Sequence, residues 1–313
     1  MSTAPRLLAI GGAHLDRRGQ VSGEYIPAVS NPGTMREEIG GGAFNALRNA
    51  VDCGVEGSLF SVRGGDAAGL RVAGEVSDWR IEDLSVTFLD RATPSYTALL
   101  DRNGDLIAGL ADMALYDLAL GRQMRRRGLR DAVAACDALL CDANMPADGI
   151  ERLARLTDKP LHGIAVSPAK VVRLMGVLPR LDCLFMNRRE AEVVAGSASD
   201  DPAMLAGALV ARGLRAAVIT SGESGVTIVQ GGDVFGMAVP EVDAVVDVTG
   251  AGDALAGATI AAMMRGVPLA DAVHEGIARA TLTVESDQAV LRISARDMAR
   301  RLAQVPQARR IQQ

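Results

Sequence analysis

The chain has 313 residues, 49% of them hydrophobic and 23% charged, with a formal net charge of −5. The balance is that of a globular protein, and the acidic excess argues against a broad phosphate-backbone footprint, so no nucleic-acid partner is expected. No apolar run approaches a membrane span, and the opening "MSTAPRLLAIGG" has too short an apolar run for a signal peptide, so a soluble, cytoplasmic protein without a membrane partner is expected.

Aromatic residues are only 3% of the chain, so the core must be built from Ala, Val, Leu and Ile, which suits buried parallel strands. Cys53, Cys136, Cys141 and Cys183 form no CxxC pair and read as small buried hydrophobes in a reducing compartment. The basic cluster Arg125, Arg126, Arg127 and Arg130 reads as a solvated helix end and loop.

In chain order, Leu7 to Ile10 is a buried strand that runs into a double glycine. The polar stretch from Arg17 to Glu38 holds "SNPG" and predicts a hairpin. "GGGAFNALRNAVDCG" predicts a glycine loop and a helix stopped by Gly54. "SLFSVRGGDAAGLRVAGEVSDW" predicts a strand, a turn and a helix capped by Asp66. "SVTFLD" and "SYTALLDRNGDLIAGL" predict antiparallel strands, the latter turning at Asn103-Gly104.

Beyond this point helix and strand alternate. "DALLCDANMP", "PLHGIAVS", "CLFMNRREAEVV", "AAVITSGESG" and "GVTIVQGGDVFGMAVP" carry the strands. Such alternation predicts a mainly parallel sheet wrapped by helices on both faces. Residues 14–36 and 85–112 stand apart as β segments, and they are expected to form a small sheet that covers a single domain, 1–313, as a lid. The residues from Gln304 onward read as frayed.

The most informative stretch is "VVDVTGAGDALAGATIAAMMRG". A strand ending at Val246 is expected to deliver the chain to Gly250, Ala251 and Gly252, followed by a small-residue helix. The first N–H groups of a helix lack internal partners and carry the positive end of its dipole, so small residues there make a phosphate cradle. No Gly-Lys-Ser/Thr follows, so this is not a Walker A loop. Asp253 would repel a phosphate, which suits a base that takes a proton from an attacking hydroxyl; on its own it also reads as a first-turn acid.

Four further segments supply candidates. Gly41, Gly42 and Asn45 of "GGGAFN" can hydrogen-bond a polyol, or simply form a tight turn and cap. Asp16 follows the first strand's glycines, at the sheet edge where open α/β folds bind ligands. Asn187 and Glu190 of "NRRE" place two hard oxygen ligands on one helix face, suited to Mg²⁺ through water. Thr220, Ser221, Gly222 and Gly225 of "TSGESG" offer hydroxyls and a turn near a nucleotide's phosphates.

Together, "GGGAFNALRNA" and "DVTGAGDALAG" resemble the two signatures of the ribokinase-like carbohydrate kinases, the PfkB family, with "NRRE" and "TSGESG" between them in the expected order. The resemblance runs from Leu7 to about Ile293. It implies a three-layer α/β sandwich with a β lid that also serves as a dimer interface. It implies Asp253 as catalytic base, with Gly250, Ala251 and Gly252 as the anion hole. ATP would be the donor, with Asn187 and Glu190 organising Mg²⁺ and Ser221, Gly222 and Gly225 lining the nucleotide site. Asp16, Gly41, Gly42 and Asn45 would hold the sugar, and a K⁺ would sit near Asp247 and Thr249.

Within the family, "SNPG", "SYTALLDRNGDLIAGLADM", "DANMP" and "VSPAK" are most similar to the pseudouridine kinases, which phosphorylate the ribose 5′-hydroxyl of a C-nucleoside. The chain departs from them at Phe44, where they carry Arg, at Ile164-Ala165, where they tend to carry Asp-Pro, and at the extra glycine Gly42. The alternatives are a kinase for another nucleoside or a free sugar, and a ligand-binding protein that keeps the fold without turnover.

Overall fold

The computed structural model describes residues 4–199 and 201–311. Its first strand, β1 (Arg6–Ile10), explains the architecture. Leu7 and Ala9 enter one buried apolar cluster, and Leu8 and Ile10 enter the other. A strand with both faces apolar must be covered twice, which places helices on each side of the sheet.

The chain next forms β2 (His14–Val21) and β3 (Gly33–Gly40), then helix α1 (Gly42–Asp52). β4 (Glu56–Phe60) and β5 (Val62–Gly64) lead to helix α2 (Ala67–Asp78), whose cap Asp66 accepts from the Gly69 N–H at 2.8 Å. β6 (Glu82–Asp83), β7 (Val86–Phe88), β8 (Ser95–Leu100) and β9 (Leu106–Asp112) follow. The alternating half contributes β10 (Ala138–Asp142), β11 (Leu161–Ile164), β12 (Cys183–Asn187) and β13 (Ala216–Thr220). The hairpin β14 (Val226–Gln230) and β15 (Asp233–Met237) and the terminal β16 (Arg309–Arg310) complete the strands.

The large sheet has the order β16-β15-β14-β13-β12-β11-β10-β1-β4-β6. It is parallel from β6 to β13 and antiparallel beyond. The small sheet, β3-β2-β8-β9, joins the predicted hairpins through a parallel β2–β8 pairing. Among the described residues no helix is long and apolar enough to cross a membrane. Cys136, Cys141 and Cys183 are buried and Cys53 is half-buried, all as free thiols, and Arg125, Arg126, Arg127 and Arg130 are exposed.

Three expectations are corrected. "SVTFLD" does not join the small sheet; β7 pairs in parallel with β5 as a separate ribbon, so the second segment of the small sheet begins at Ser95 rather than at residue 85. The described carboxyl-terminal residues, up to 311, are not frayed, because β16 pairs with β15 and Ile311 packs on the core, whereas 312 and 313 lie outside the described residues. No strand ends at Val246; the run from 238 to 248 is irregular, held in part by the Val246 N–H bonding the Val284 carbonyl at 2.9 Å.

Candidate active site

The carboxyl ends of β1, β10, β11, β12 and β13 meet the amino ends of α1 and of the helix Ala251–Met264. At this edge Gly250 caps the latter helix with φ of 78°, a left-handed conformation suited to glycine. A Cβ at Gly250 would lie 2.2 Å from the Ala289 carbonyl oxygen, so a side chain there has no room. A Cβ at Gly252 would meet nothing within 4 Å. The first turn therefore opens onto free space with its N–H groups unpaired within the helix.

Asp253 lies in that turn and is only partly exposed. Its Oδ2 accepts from Asn45 Nδ2 at 2.8 Å. Burial raises its carboxyl pKa from 3.8 to about 7; the Asn45 bond and the Arg48 charge work against that rise, and the carboxylates of Asp142 and Asp16 add to it. The helix amino terminus thus does not keep the group ionised at low pH, as its first-turn position alone suggests.

Asp16 comes from β2, its carboxylate against Gly40, with His14 Nε2 at 3.3 Å from Oδ1. Gly41 turns at φ of 115° and Gly42 opens α1. A Cβ at Gly41 would lie 2.3 Å from the Gly12 carbonyl oxygen, so this approach of two loops requires glycine. Asp16, Asn45, Gly41 and Gly42 are thus brought to one corner with Asp253.

Two cavities adjoin this corner. One, of about 510 Å³, is lined by Ile164, Val166, Asn187, Glu190, Gly250 and Asp253 among others. The second, of about 590 Å³, is largely apolar, with Val239, Pro240, Val245, Leu255, Ile277 and Val284 in its wall. Thr220, Val248, Gly252 and Leu255 line both, so the glycine turn stands at their junction. Thr220, Gly222 and Gly225 line the apolar cavity, whereas Ser221 borders a separate hollow of about 320 Å³ with Arg188.

Asn187 is the cap of the helix Arg188–Ala195 rather than part of its face. Its Oδ1 accepts from the Glu190 N–H at 3.0 Å, and Glu190 Oε2 accepts from the Asn187 N–H at 2.7 Å. Burial raises the Glu190 carboxyl pKa. Asp247 Oδ1 accepts from the Thr249 N–H at 2.8 Å, and its Oδ2 pairs with Arg18 of β2.

Two residues of the site carry no role in the sequence reading. Asp142, wholly buried at the end of β10, accepts from the N–H groups of Gly12 at 3.0 Å, Ala43 at 2.9 Å and Asn144 at 3.0 Å. Its signal was a carboxylate ending an apolar strand. Arg48 donates to Asn45 Oδ1 at 2.6 Å, and its signal was a spacing of one helical turn from Asn45.

The family model "pfkB family carbohydrate kinase" matches residues 4–295. A pseudouridine kinase of Escherichia coli strain K12 is 26% identical over 273 residues, covering 86% of this chain and 87% of that protein. The solved structure of a carbohydrate kinase from Agrobacterium tumefaciens is 42% identical with a TM-score of 0.86, covering 98% of this chain and 100% of its own. Arabidopsis thaliana ribokinase, solved with ribose and ATP, shares the fold at 18% identity, a TM-score of 0.84 and coverage of 96% and 99%. With its glycine turn, Asp253 and two adjoining cavities on a ribokinase-like sandwich, the chain belongs to the pfkB family of carbohydrate kinases, phosphotransferases acting on a sugar or nucleoside hydroxyl.

Proposed function

We propose that the protein transfers the γ-phosphoryl of ATP to the ribose 5′-hydroxyl of a nucleoside, pseudouridine before others, with Asp253 as general base. The observation that carries this reading is the placement of Asp253. It lies in the first turn of an open helix amino terminus, its carboxyl is poised near neutrality, and Asn45 occupies Oδ2 and leaves Oδ1 free. The order of "SNPG", "DANMP" and "VSPAK" and the Escherichia coli relative favour pseudouridine as acceptor.

The residues present suit a nucleotide. The apolar cavity can take a purine ring, and the Gly252 N–H, which faces open space, can take the phosphate tail next to it, with the Ala251 N–H bonded to the Val248 carbonyl at 3.3 Å. Asn187 and Glu190 line the other cavity and would hold Mg²⁺ through water, since the cap leaves Glu190 Oε1 unused and the single oxygen of Asn187 keeps a second lone pair. When bound, the ion would neutralise charge on the phosphates. The Asp247 carboxylate does not suit K⁺ as arranged, because a guanidinium and an N–H already occupy its oxygens.

In the step itself, the hydroxyl proton passes to Asp253 Oδ1 as the new O–P bond forms and the bond to the ADP oxygen breaks. Charge developing on the phosphoryl meets the helix amino terminus. Asp16, Gly41, Gly42 and Asn45 hold the ribose, and the small sheet closes over it and excludes water. In this reading the outer face of that sheet, with Met35, Leu106 and Leu110 exposed, is also where two copies pair.

ADP release with Mg²⁺-ATP, compared across pseudouridine, uridine, cytidine, adenosine and ribose, tests the reading. Turnover confined to pseudouridine supports it. Silence with pseudouridine and turnover of another acceptor moves the specificity to that acceptor. Silence across the panel favours the ligand-binding protein without turnover.

A further inference from the structure

Arg48 is 5% exposed, one helical turn beyond Asn45 on α1. A buried guanidinium is costly unless its donors are met. Nη1 donates to Glu75 Oε1 at 2.8 Å, and Nη2 donates to the Ile39 carbonyl at 2.7 Å and to Asn45 Oδ1 at 2.6 Å. The guanidinium stacks 4.5 Å over the Phe44 ring and lies 5.9 Å from the Trp79 ring. Trp79 in turn donates its Nε1–H to the same Glu75 oxygen at 3.0 Å, and Arg292 stacks on Trp79 from outside at 4.2 Å. Arg48 is thus clamped between α1 and α2.

An amide has one accepting end and one donating end, whereas a guanidinium only donates. Arg48 can therefore face only the oxygen of Asn45. That contact turns the Asn45 NH₂ toward Asp253 Oδ2, 2.8 Å away. The flipped amide would set its oxygen against a carboxylate and its NH₂ against a guanidinium, two repulsive contacts in place of two bonds.

We infer that Arg48 is a positioning residue for phosphoryl transfer: it fixes the Asn45 amide, and through that amide the Asp253 carboxyl, so that Oδ1 faces the acceptor hydroxyl. The inference rests on the reading of Asp253 as general base. The surrounding charges agree with it. Asp142 on β10 and Asp16 on β2 push the Asp253 titration up, Asn45 and Arg48 on α1 hold it down, and Glu75 on α2 and Glu38 on β3 act on Arg48.

The test uses Arg48→Met, Arg48→Lys, Glu75→Gln and Asp253→Asn in the full chain. Two readouts are taken. One is the ¹³C titration of the Asp253 carboxyl, assigned by its loss in Asp253→Asn, which requires no acceptor. The other is ADP release with the best acceptor of the panel. Arg48→Met is expected to move the titration midpoint up by about half a pH unit or more. It is expected to lower kcat on the order of 10- to 100-fold with the KM for ATP little changed. Arg48→Lys keeps the charge and recovers part of both. Glu75→Gln, at a side chain 33% exposed, leaves Arg48 in place without its counter-charge, so the midpoint moves down.

A folded Arg48→Met protein with the wild-type midpoint and kcat overturns the inference. If Arg48→Met does not fold, an unchanged or raised midpoint in Glu75→Gln overturns it instead. Full ADP release by Asp253→Asn would remove the general base while leaving the Arg48 titration result standing, so the two failures are distinguishable.

Discussion

Replacing Asp253 by Asn removes a charge and little else, because an Asn oxygen can still accept from Asn45. The wild-type carboxyl is raised by burial from 3.8 to about 7. Between those values the folded chain holds a proton that the unfolded chain has released, so the folded state binds more protons. The stability this confers is complete below the unfolded value and is lost as pH rises through about 7. At about 1.36 kcal/mol per unit the full difference is about 4 kcal/mol, of which the stretch from pH 5 to pH 8 carries roughly 2–3 kcal/mol. The Asn variant titrates nothing at this position, so its stability relative to wild type should climb by that amount across the same range. Urea unfolding of both proteins at pH 5 and pH 8 measures it, and titrating groups that do not couple to Asp253 cancel in the difference. A gap that stays constant with pH refutes the argument that burial raises this carboxyl. The same variant should lose on the order of 10²–10⁴ in kcat, and a near-wild-type rate would remove Asp253 from the role of base.

Asn45→Ala should raise the KM for the acceptor more than that for ATP; initial-rate kinetics check this, and equal effects would count against its place beside the sugar. Gly257→Ala should cost about 1–3 kcal/mol in chemical unfolding, because its Cβ would lie 2.2 Å from the Ala46 carbonyl oxygen and drive the Asp253 helix off α1. No loss there would mean that the two helices do not pack as closely as described. Exchanging K⁺ for Na⁺ should leave the ADP-release rate unchanged, since Arg18 already supplies positive charge at Asp247; strict dependence on K⁺ would refute that.

The parts of the fold that could be read from the sequence are those where local pattern and burial agree. Leu7 to Ile10 is apolar at every position because both faces of β1 are covered, and Gly54 ends α1 because its φ of 92° suits glycine. Val245, Val246 and Val248 misled for a physical reason. Valines favour strands, but here they are 66%, 54% and 67% exposed in an irregular run, and Val245 and Val248 border the apolar cavity rather than a sheet. "SVTFLD" has the composition of a strand, but nothing in it distinguishes a partner in the small sheet from β5.

The site divides in the same way. Asp253 and the glycines form a contiguous motif, so their chemistry could be inferred from spacing. Arg48 could not be given a role that way, because its meaning depends on Glu75 and Trp79, which only the docking of α2 brings near. Ser221 reads as part of the nucleotide group by adjacency, yet it sits in the turn after β13 and borders a different hollow from the cavity that Thr220 and Gly222 share.

The Asp142 carboxylate holds main-chain N–H groups of the loop after β1, of the first turn of α1 and of its own loop, and main-chain groups are the same whatever residue carries them. The frame around the phosphoryl site is therefore insulated from changes in the side chains that form its walls, such as Ile164, Val166 and Phe185. Mutational drift can remodel the walls while the frame stays in register, so a single scaffold can give rise to enzymes with different acceptors.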